Sequence, residues 1–311
     1  MTLRDYLDLV RAPAVLSVLG DTLAGAAAGG RLGSARSATS TDVHPWRLAL
    51  LPLSSACLYA GGMALNDYAD RELDAVERPE RPLPSGRVTP AQALVAASGL
   101  TAAGLALAAT GGGRRSFVVA VPLAACVWTY DLLAKDRASG PVVMAACRGL
   151  DVLMGAGRGR VRAALPAAAA LTVHTAGVTV LSRGEVHGTT PPVAAAVAAG
   201  TVGVAGAVAV GALRSLRSAP TAALAALASA GVYAASCLPG QARAVGAPDA
   251  ANAFAATKAG IRSMVPLQAA LAARGGSLVS VGVLTAVEVA GRVLRARARR
   301  SVSPHPGLSE S

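Results

Sequence analysis

The chain has too little charge for a soluble protein of its length. Charged residues make up 15% of its 311 residues, against roughly 25% in a typical soluble chain, so they are too few to cover a folded surface. Hydrophobic residues make up 53% and the mean hydropathy is +0.49, which excludes intrinsic disorder. Four cysteines are too few for a disulfide framework. The composition therefore predicts an integral membrane protein built from many helices.

The charge that is present is mostly basic. Lys and Arg number 29 against 17 Asp and Glu, a formal net charge of +12. A nucleic-acid-binding protein would gather such residues on one water-facing surface, but here they lie in short loops between apolar segments. One basic run near the C-terminus contains Arg292, Arg295, Arg297, Arg299 and Arg300. This distribution favours contact with anionic membrane lipids and argues against nucleic acid as a partner.

Apolar segments of about 20 residues, the length that crosses a bilayer, predict nine transmembrane helices. The segment 252–274 is also apolar but holds Lys258 and Arg262, so it is either a further span facing the protein interior or a helix at the membrane interface. Residues 1–300 should form one transmembrane domain, and 301–311 a disordered tail. The nine spans lie near residues 13–30, 47–66, 91–112, 116–133, 141–157, 163–182, 190–213, 219–238 and 277–294.

Six of the 17 acids fall between Asp67 and Glu80, directly after the uncharged second span. If the helix of that span continues, Asn66, Asp70 and Asp74 recur every four residues and Asp67 shares their face. Carboxylates packed so closely repel one another and need neutralisation. Hard divalent cations with oxygen ligands supply it, and Mg²⁺ typically combines one or two carboxylates with substrate phosphates. We refer to Asp67, Asp70 and Asp74 as the acidic cluster.

Basic residues follow the acidic cluster closely in the sequence. Arg78 and Arg81 lie one to two helical turns further on, and a guanidinium group is suited to bidentate contact with phosphate. The alternative is a solvated acidic loop stabilised by pairs such as Glu77 and Arg81. Because the acids emerge directly from an uncharged membrane span, where charged groups are usually functional, the functional interpretation is favoured.

The segment NDYADRELDAVERPERPLPSG resembles the first aspartate-rich motif of the UbiA superfamily of intramembrane prenyltransferases. A second stretch, residues 129–155, is similar to the family's loop with a Tyr and a Lys and to the helix after it. GRVTP, CRGLDVLMG and LSRGEVHG resemble the UbiA-like EboC branch most closely. The first motif matches at Asn66, Asp67, Asp70, Asp74, Arg81, Pro82 and Pro84.

This resemblance implies a UbiA-like bundle of about nine helices around a central cavity that opens to the lipid. The implied activity is transfer of an isoprenyl group from its diphosphate to a lipophilic acceptor, with Mg²⁺ held by the acidic cluster. Lys135 and Glu185 would join the three aspartates as catalytic residues. A bacterial plasma membrane, with the acidic cluster on the cytoplasmic side, is the expected location. The implied substrate-binding residues are Asn66, Arg78, Arg81, Tyr130, Arg148, Asp151 and Arg183.

The chain departs from the family where a second aspartate motif should follow the sixth span. Between Val152 and Pro248 its only acid is Glu185, and one carboxylate cannot reproduce that motif. Either one Mg²⁺ suffices, with Arg183, His174 or His187 contacting the diphosphate, or the protein is a non-catalytic isoprenoid-binding or carrier protein. Both alternatives remain open at this point. An ion-coupled transporter is disfavoured because the sequence lacks an internal repeat.

Overall fold

The computed structural model describes residues 2–11, 15, 17–32, 45–157 and 159–301, and within these the chain is helical with no strand. The predicted all-α class is therefore confirmed. Of the expected tail, 301–311, Ser301 ends the last helix and residues 302–311 lie outside the described residues. The helices are α1 (Leu3–Leu9), α2 (Leu19–Ala28), α3 (Pro45–Ala69), α4 (Arg71–Glu77), α5 (Pro90–Thr129), α6 (Gly140–Ala156), α7 (Val161–Ser182), α8 (Pro191–Arg214), α9 (Pro220–Gly246), α10 (Ala250–Arg274) and α11 (Leu278–Ser301).

Five helical segments of the described chain are long and apolar enough to cross a membrane, so the expected count of nine is not confirmed. Several of the other predicted spans are too short or too polar on their own. The apolar part of α11 covers only Leu278–Gly291, and α6 has 17 residues, whereas a bilayer needs about 20. The five segments are Ala49–Ala69, Pro90–Ala134, Val161–Ser182, Pro191–Arg214 and Pro220–Gly246.

The longest of these segments is bent at Gly113. There the backbone has φ 70° and ψ −163°, a conformation that is open to glycine but strained for a residue with a Cβ atom. The kink divides α5 into two arms, which correspond to the predicted spans 91–112 and 116–133. A five-residue π-helical turn, Tyr130–Ala134, then extends the second arm.

The ambiguous segment 252–274 forms α10, and it lies inside the bundle. Every residue from 263 to 273 is buried, and α10 packs against α2, α7, α8, α9 and α11. Its three basic residues, Lys258, Arg262 and Arg274, are exposed. Segment 252–274 therefore packs in the protein interior and does not lie at the membrane interface.

Helices α2 and α6 cross at very close range because glycines lie at the contact. A Cβ atom on Gly25 would come within 1.8 Å of the Val152 carbonyl oxygen, and one on Gly155 within 2.2 Å of that of Thr22. Small residues at helix contacts allow such an approach in membrane bundles. The crossing brings the polar side chains of α2 against those of α6.

Candidate functional site

The acidic cluster spans the junction of α3 and α4. Asp67 lies in the last turn of α3, Asp70 occupies the N-cap position of α4 without a capping hydrogen bond from its side chain, and Asp74 lies in the first turn of α4. Although the regular helix is interrupted at Asp70, the amide of Asp70 donates to the Asn66 carbonyl (2.9 Å) and that of Asp74 to the Asp70 carbonyl (2.8 Å). The i to i+4 spacing therefore persists across the junction and keeps the three carboxylates on one face.

Arginines neutralise the two buried members of this cluster. Asp67 is 3% exposed and accepts a hydrogen bond from Arg11 at 2.9 Å, with Arg81 at 3.5 Å. Asp74 is 2% exposed and accepts from Arg81 at 2.5 Å, with Arg78 at 3.8 Å. Arg81 thus bridges two carboxylates that would otherwise be buried without compensation.

The third member of the cluster is held by a residue on the neighbouring helix. Asp70 forms an ion pair with Lys135, which directly follows the π-helical turn Tyr130–Ala134. That turn also places Asp131, which is buried and accepts a hydrogen bond from the Asn66 amide at 3.4 Å. Single π-helical turns are frequent at functional sites. Here the turn presents an acid and a base, i to i+4, to the acidic cluster.

The site therefore contains equal numbers of acids and bases. As the side chains stand, no three His, Cys, Asp or Glu residues of the described chain converge as ligands for a metal, because each carboxylate of the acidic cluster faces a cation. The donor set nevertheless suits Mg²⁺, which takes carboxylate oxygens. The four acids are Asp67, Asp70, Asp74 and Asp131, and the four bases are Arg11, Arg78, Arg81 and Lys135.

Sequence reasoning missed two of these residues, Arg11 and Asp131. Asp131 could have been predicted, because it lies next to Tyr130 and four residues before Lys135, within the segment 129–155 that resembles the family. Arg11 carried no such signal, because it precedes Asp67 by 56 residues. Its backbone has φ 48°, in the left-handed region that residues with a Cβ atom seldom occupy.

The N-terminal helix that precedes Arg11 is anchored beside the site. Thr2 and Asp5 form a reciprocal capping box at the start of α1, and Arg87 pairs with both Asp5 and Asp8 at 3.1 Å. Hydrogen bonds from the Thr2 hydroxyl and amide, together with Arg87, lower the pKa of Asp5 to about 2. These contacts tie α1 to the segment that follows the acidic cluster.

A cavity of about 330 Å³ lies in the bundle beside this site, and Asp131 is the one of the four acids and four bases that lines it. Its volume is in the range of small-molecule sites. Its mouth, next to the cluster, is lined by Tyr130, Asp131 and Glu185. Its middle is mostly apolar, with residues such as Met63 and Met144. Its deep end is polar again and is formed by Ser55, Arg148 and Asp151.

Four of the predicted site residues line this cavity, but in different parts of it. Tyr130 and Glu185 lie at the mouth, whereas Arg148 and Asp151 lie at the deep end. Arg148 does not join the cations of the acidic cluster, since its guanidinium pairs with Asp21 at 3.0 Å. The structure therefore separates these predicted catalytic and substrate-binding residues into two groups.

The other candidate ligands on this side of the bundle do not line the cavity. Arg183 is exposed and donates to the carbonyl oxygen of Arg137. His174 is buried, with its ring nitrogens at 3.1 Å from the Tyr233 hydroxyl and 3.0 Å from the Gly260 carbonyl. His187 is exposed. Glu185 is thus the predicted residue of this region that the structure places at the mouth.

Comparison with known proteins gives a family and a fold. Residues 31–184 match the UbiA prenyltransferase family. Over 107 residues the chain is 41% identical to the digeranylgeranylglyceryl phosphate synthase of Methanopyrus kandleri, covering 34% of this chain and 35% of that protein. The matched segment therefore spans only about a third of this relative's length.

Solved structures extend the similarity to nearly the whole fold. A structure of digeranylgeranylglyceryl phosphate synthase superimposes with a TM-score of 0.59 at 17% identity, covering 89% of this chain and 99% of that one. A UbiA homologue from Archaeoglobus fulgidus bound to GPP and Mg²⁺ gives 0.51 at 16% identity, covering 87% and 98%. The EboC branch stays a prediction. The chain is an integral membrane protein and belongs to the UbiA prenyltransferase family.

Proposed function

We propose that this protein is a Mg²⁺-dependent prenyltransferase that moves an isoprenyl group from its diphosphate to a lipophilic acceptor. The observation that carries this proposal is the charge-balanced site of four carboxylates and four cations at the mouth of an apolar cavity. Isoprenyl diphosphates combine a highly charged head with a hydrocarbon chain, and this site offers matching surroundings for both. The relatives that match part of the chain are synthases of an isoprenoid lipid, which is consistent with it.

In this mechanism the bases at the mouth change partners when the donor binds. Arg81 and Lys135, now paired with Asp74 and Asp70, would turn to the diphosphate, and Asp67, Asp70 and Asp74 would be freed to hold Mg²⁺. Bound there, Mg²⁺ supplies positive charge against the leaving diphosphate. Charge-assisted hydrogen bonds from guanidinium and ammonium groups stabilise the same developing charge.

The reaction breaks the bond between the first isoprenyl carbon and the diphosphate oxygen, and the electron pair leaves with the diphosphate. A nucleophilic atom of the acceptor forms the new bond to that carbon and loses its proton. The apolar middle of the cavity protects the allylic cation from water. Glu185, at the mouth, is the single carboxylate available on the wall where relatives of this family carry a second acidic motif.

We also propose a setting for this activity. The protein would act in a bacterial plasma membrane with the acidic cluster on the cytoplasmic side, as a single domain over residues 1–300. Membrane lipids surround it, and the basic C-terminal run would face anionic headgroups.

A non-catalytic isoprenoid-binding or carrier role is the second candidate. It is favoured by the pairing of every carboxylate of the acidic cluster with a cation, together with the absence of a second acidic motif in the sequence. Such a protein would bind the donor and release it unchanged.

One experiment separates the two. Purified protein in nanodiscs is incubated with Mg²⁺, a lipid extract as acceptor source, and labelled isoprenyl diphosphates of several chain lengths, and both bound label and released diphosphate are measured. The enzyme releases diphosphate, and an Asp70→Asn variant releases less. Binding without release would favour the carrier, and neither binding nor release would overturn both proposals.

A further inference from the structure

The deep end of the cavity is closed by side chains of α6 that reach three neighbouring helices. Arg148 pairs with Asp21 on α2 at 3.0 Å and donates to the sulfur of Met264 on α10 at 2.8 Å. Asp151, three residues further along α6, accepts a hydrogen bond from the Ser55 hydroxyl on α3 at 2.5 Å. Polar contacts therefore connect α6 with α2, α3 and α10 across the bottom of the cavity.

Packing closes the other sides of the deep end. A Cβ atom on Gly149 would lie 2.3 Å from the Thr172 hydroxyl oxygen, so α6 and α7 touch at this level. Met154, three residues beyond Asp151 on α6, is fully buried and belongs to one apolar cluster with Leu123 of α5. The close crossing of α2 and α6 lies at the same depth as Met154, and there the two backbones are in contact. The cavity therefore ends at these residues.

The depth of the cavity can be measured along α3. A Cβ atom on Gly62 would lie 3.6 Å from a carboxylate oxygen of Asp131, so the mouth is level with Gly62. Ser55, at the deep end, lies seven residues earlier on the same helix. At 1.5 Å per residue, the depth from mouth to deep end is about 10 Å.

This depth matches the length of a short isoprenyl tail. The C–C bonds of the chain are about 1.5 Å long, so an extended isoprene unit adds roughly 5 Å. A donor whose diphosphate is held by the acidic cluster would have its first carbon near Asp131, because the amide of Asn66, the residue before Asp67, donates to Asp131 at 3.4 Å. Two isoprene units then fill the depth. A third unit would have to separate the paired side chains of the deep end, and stranding a buried charge is strongly unfavourable.

We propose that the deep end is a length stop, which selects a donor with a tail of two isoprene units, a geranyl group. Asp151 with Ser55, and Arg148 with Asp21, are the pairs that set this limit. The inference rests on the proposed function for the presence of an isoprenyl diphosphate in the cavity. The length limit itself can be tested by binding, without turnover.

The test measures equilibrium binding of isoprenyl thiolodiphosphates with one to four isoprene units to the full-length protein in nanodiscs with Mg²⁺. Sulfur replaces the oxygen on the first carbon of these analogues, which slows loss of the diphosphate. Binding to empty nanodiscs is subtracted, because longer tails partition more strongly into lipid. Affinity should rise at least tenfold from one unit to two, since a whole unit is buried, and should fall at least threefold from two units to three.

Two variants should move this optimum in opposite directions. Cys147 lines the cavity one helical turn above Asp151, so the ring in Cys147→Phe takes the space of the second isoprene unit and should move the optimum to one unit. Asp151→Ala combined with Ser55→Ala removes both members of a hydrogen bond and should raise the affinity for three units, relative to two, at least threefold. Val142→Phe is the matched control, because Val142 is on the same helix but 70% exposed, and its optimum should stay at two units.

Two results would overturn the length stop. One is an affinity that keeps rising from two to four units in the unmodified protein, which would mean that the tail leaves the cavity sideways into the lipid. The other is an optimum that neither Cys147→Phe nor the double variant moves. Each variant is informative alone, so misfolding of one leaves the test decisive.

The proposed function fails in a different way. An optimum at two units in a protein that releases no diphosphate from geranyl diphosphate would favour the carrier and leave the length stop intact. Absence of binding at every tail length would overturn the length stop together with the proposed function.

Discussion

Loss of Arg81 should destabilise the protein more than loss of any other base of the site. Arg81 is the base that contacts two carboxylates, Asp67 and Asp74, whose side chains are 4% and 2% exposed, and its own side chain is 19% exposed. Breaking a buried ion pair from one side costs about 3–5 kcal/mol, because the other charge remains buried without compensation. Arg11 and Arg78 still contact these carboxylates in the variant. We therefore expect Arg81→Gln to lower the free energy of unfolding by about 3 kcal/mol, the lower end of this range.

Thermal unfolding in detergent, followed by a fluorescent cysteine probe, measures this effect. A loss of about 3 kcal/mol corresponds to a fall in apparent Tm of roughly 6–12 °C for a chain of a few hundred residues. Arg78→Gln is the matched control. Arg78 contacts Asp74 at 3.8 Å and is 53% exposed, and exposed ion pairs contribute about 0–1 kcal/mol, so its Tm should change by no more than about 3 °C.

A double variant tests whether the cost comes from the stranded carboxylate. In Arg81→Gln with Asp74→Asn the buried charge is removed along with its partner, so most of the lost Tm should return. The reasoning is refuted if Arg81→Gln falls no further than Arg78→Gln. It is equally refuted if the double variant melts no higher than Arg81→Gln alone.

Three further outcomes are expected at other positions. Asp70→Asn should weaken binding of an isoprenyl diphosphate analogue much more in Mg²⁺ than in EDTA, because it removes a metal ligand; equal weakening would exclude that role. Glu185→Gln, at the cavity mouth, should slow diphosphate release at an unchanged Tm, and an unchanged rate would remove it from the catalytic residues. A spin label at the exposed Leu3 should stay immobilised from pH 7 to about 4 and become mobile as the pH falls towards 2. The pKa of Asp5 lies at about 2, below its ordinary value of 3.8. The ionised Asp5 carboxylate therefore stabilises α1 fully above pH 3.8, and this stabilisation is lost as the pH falls from 3.8 through about 2. Loss of immobilisation already at pH 5 would contradict this.

The acidic cluster could be predicted from sequence because its geometry is local. Residues four apart on a helix share a face whatever surrounds them, and the hydrogen bonds of Asp70 and Asp74 preserve that spacing across the helix junction. The partners of the cluster are not local. Arg11 and Lys135 reach it from 56 and 65 residues away, through packing that no spacing rule predicts.

The helix count of nine is not confirmed, for related reasons. Hydropathy measures length and apolarity, and its spans 91–112 and 116–133 correspond to the two arms of α5 on either side of the non-helical Gly113. It does not show where a helix is too short to cross the membrane, as for the 17-residue α6. Hydropathy also gave no decision on α10, because the position of this helix is determined by residues buried against five other helices. Arg148 illustrates the same limit at the level of one side chain. The family resemblance implied a substrate-binding role for Arg148, whereas the crossing of α2 and α6 pairs it with Asp21.

The charge balance of the site leads to a last prediction, that Mg²⁺ and diphosphate bind cooperatively. Four carboxylates and four cations are paired with one another in the site, and Glu185 at the mouth is outside this set. A diphosphate alone would add negative charge beside the four acids, and Mg²⁺ alone would add positive charge beside the four bases. Each alone must therefore bind weakly, whereas together they nearly cancel.

Calorimetry can measure this coupling with a non-hydrolysable isoprenyl diphosphate analogue. The dissociation constant of the analogue should fall at least tenfold when Mg²⁺ is present, and by linkage that of Mg²⁺ should fall by the same factor when the analogue is present. Lys135→Met shifts the balance towards negative charge, so it should strengthen binding of Mg²⁺ alone and weaken binding of the analogue alone. If the analogue binds equally well with and without Mg²⁺, the acidic cluster serves only to position Arg81 and Lys135, and the carrier function becomes the better account of this fold.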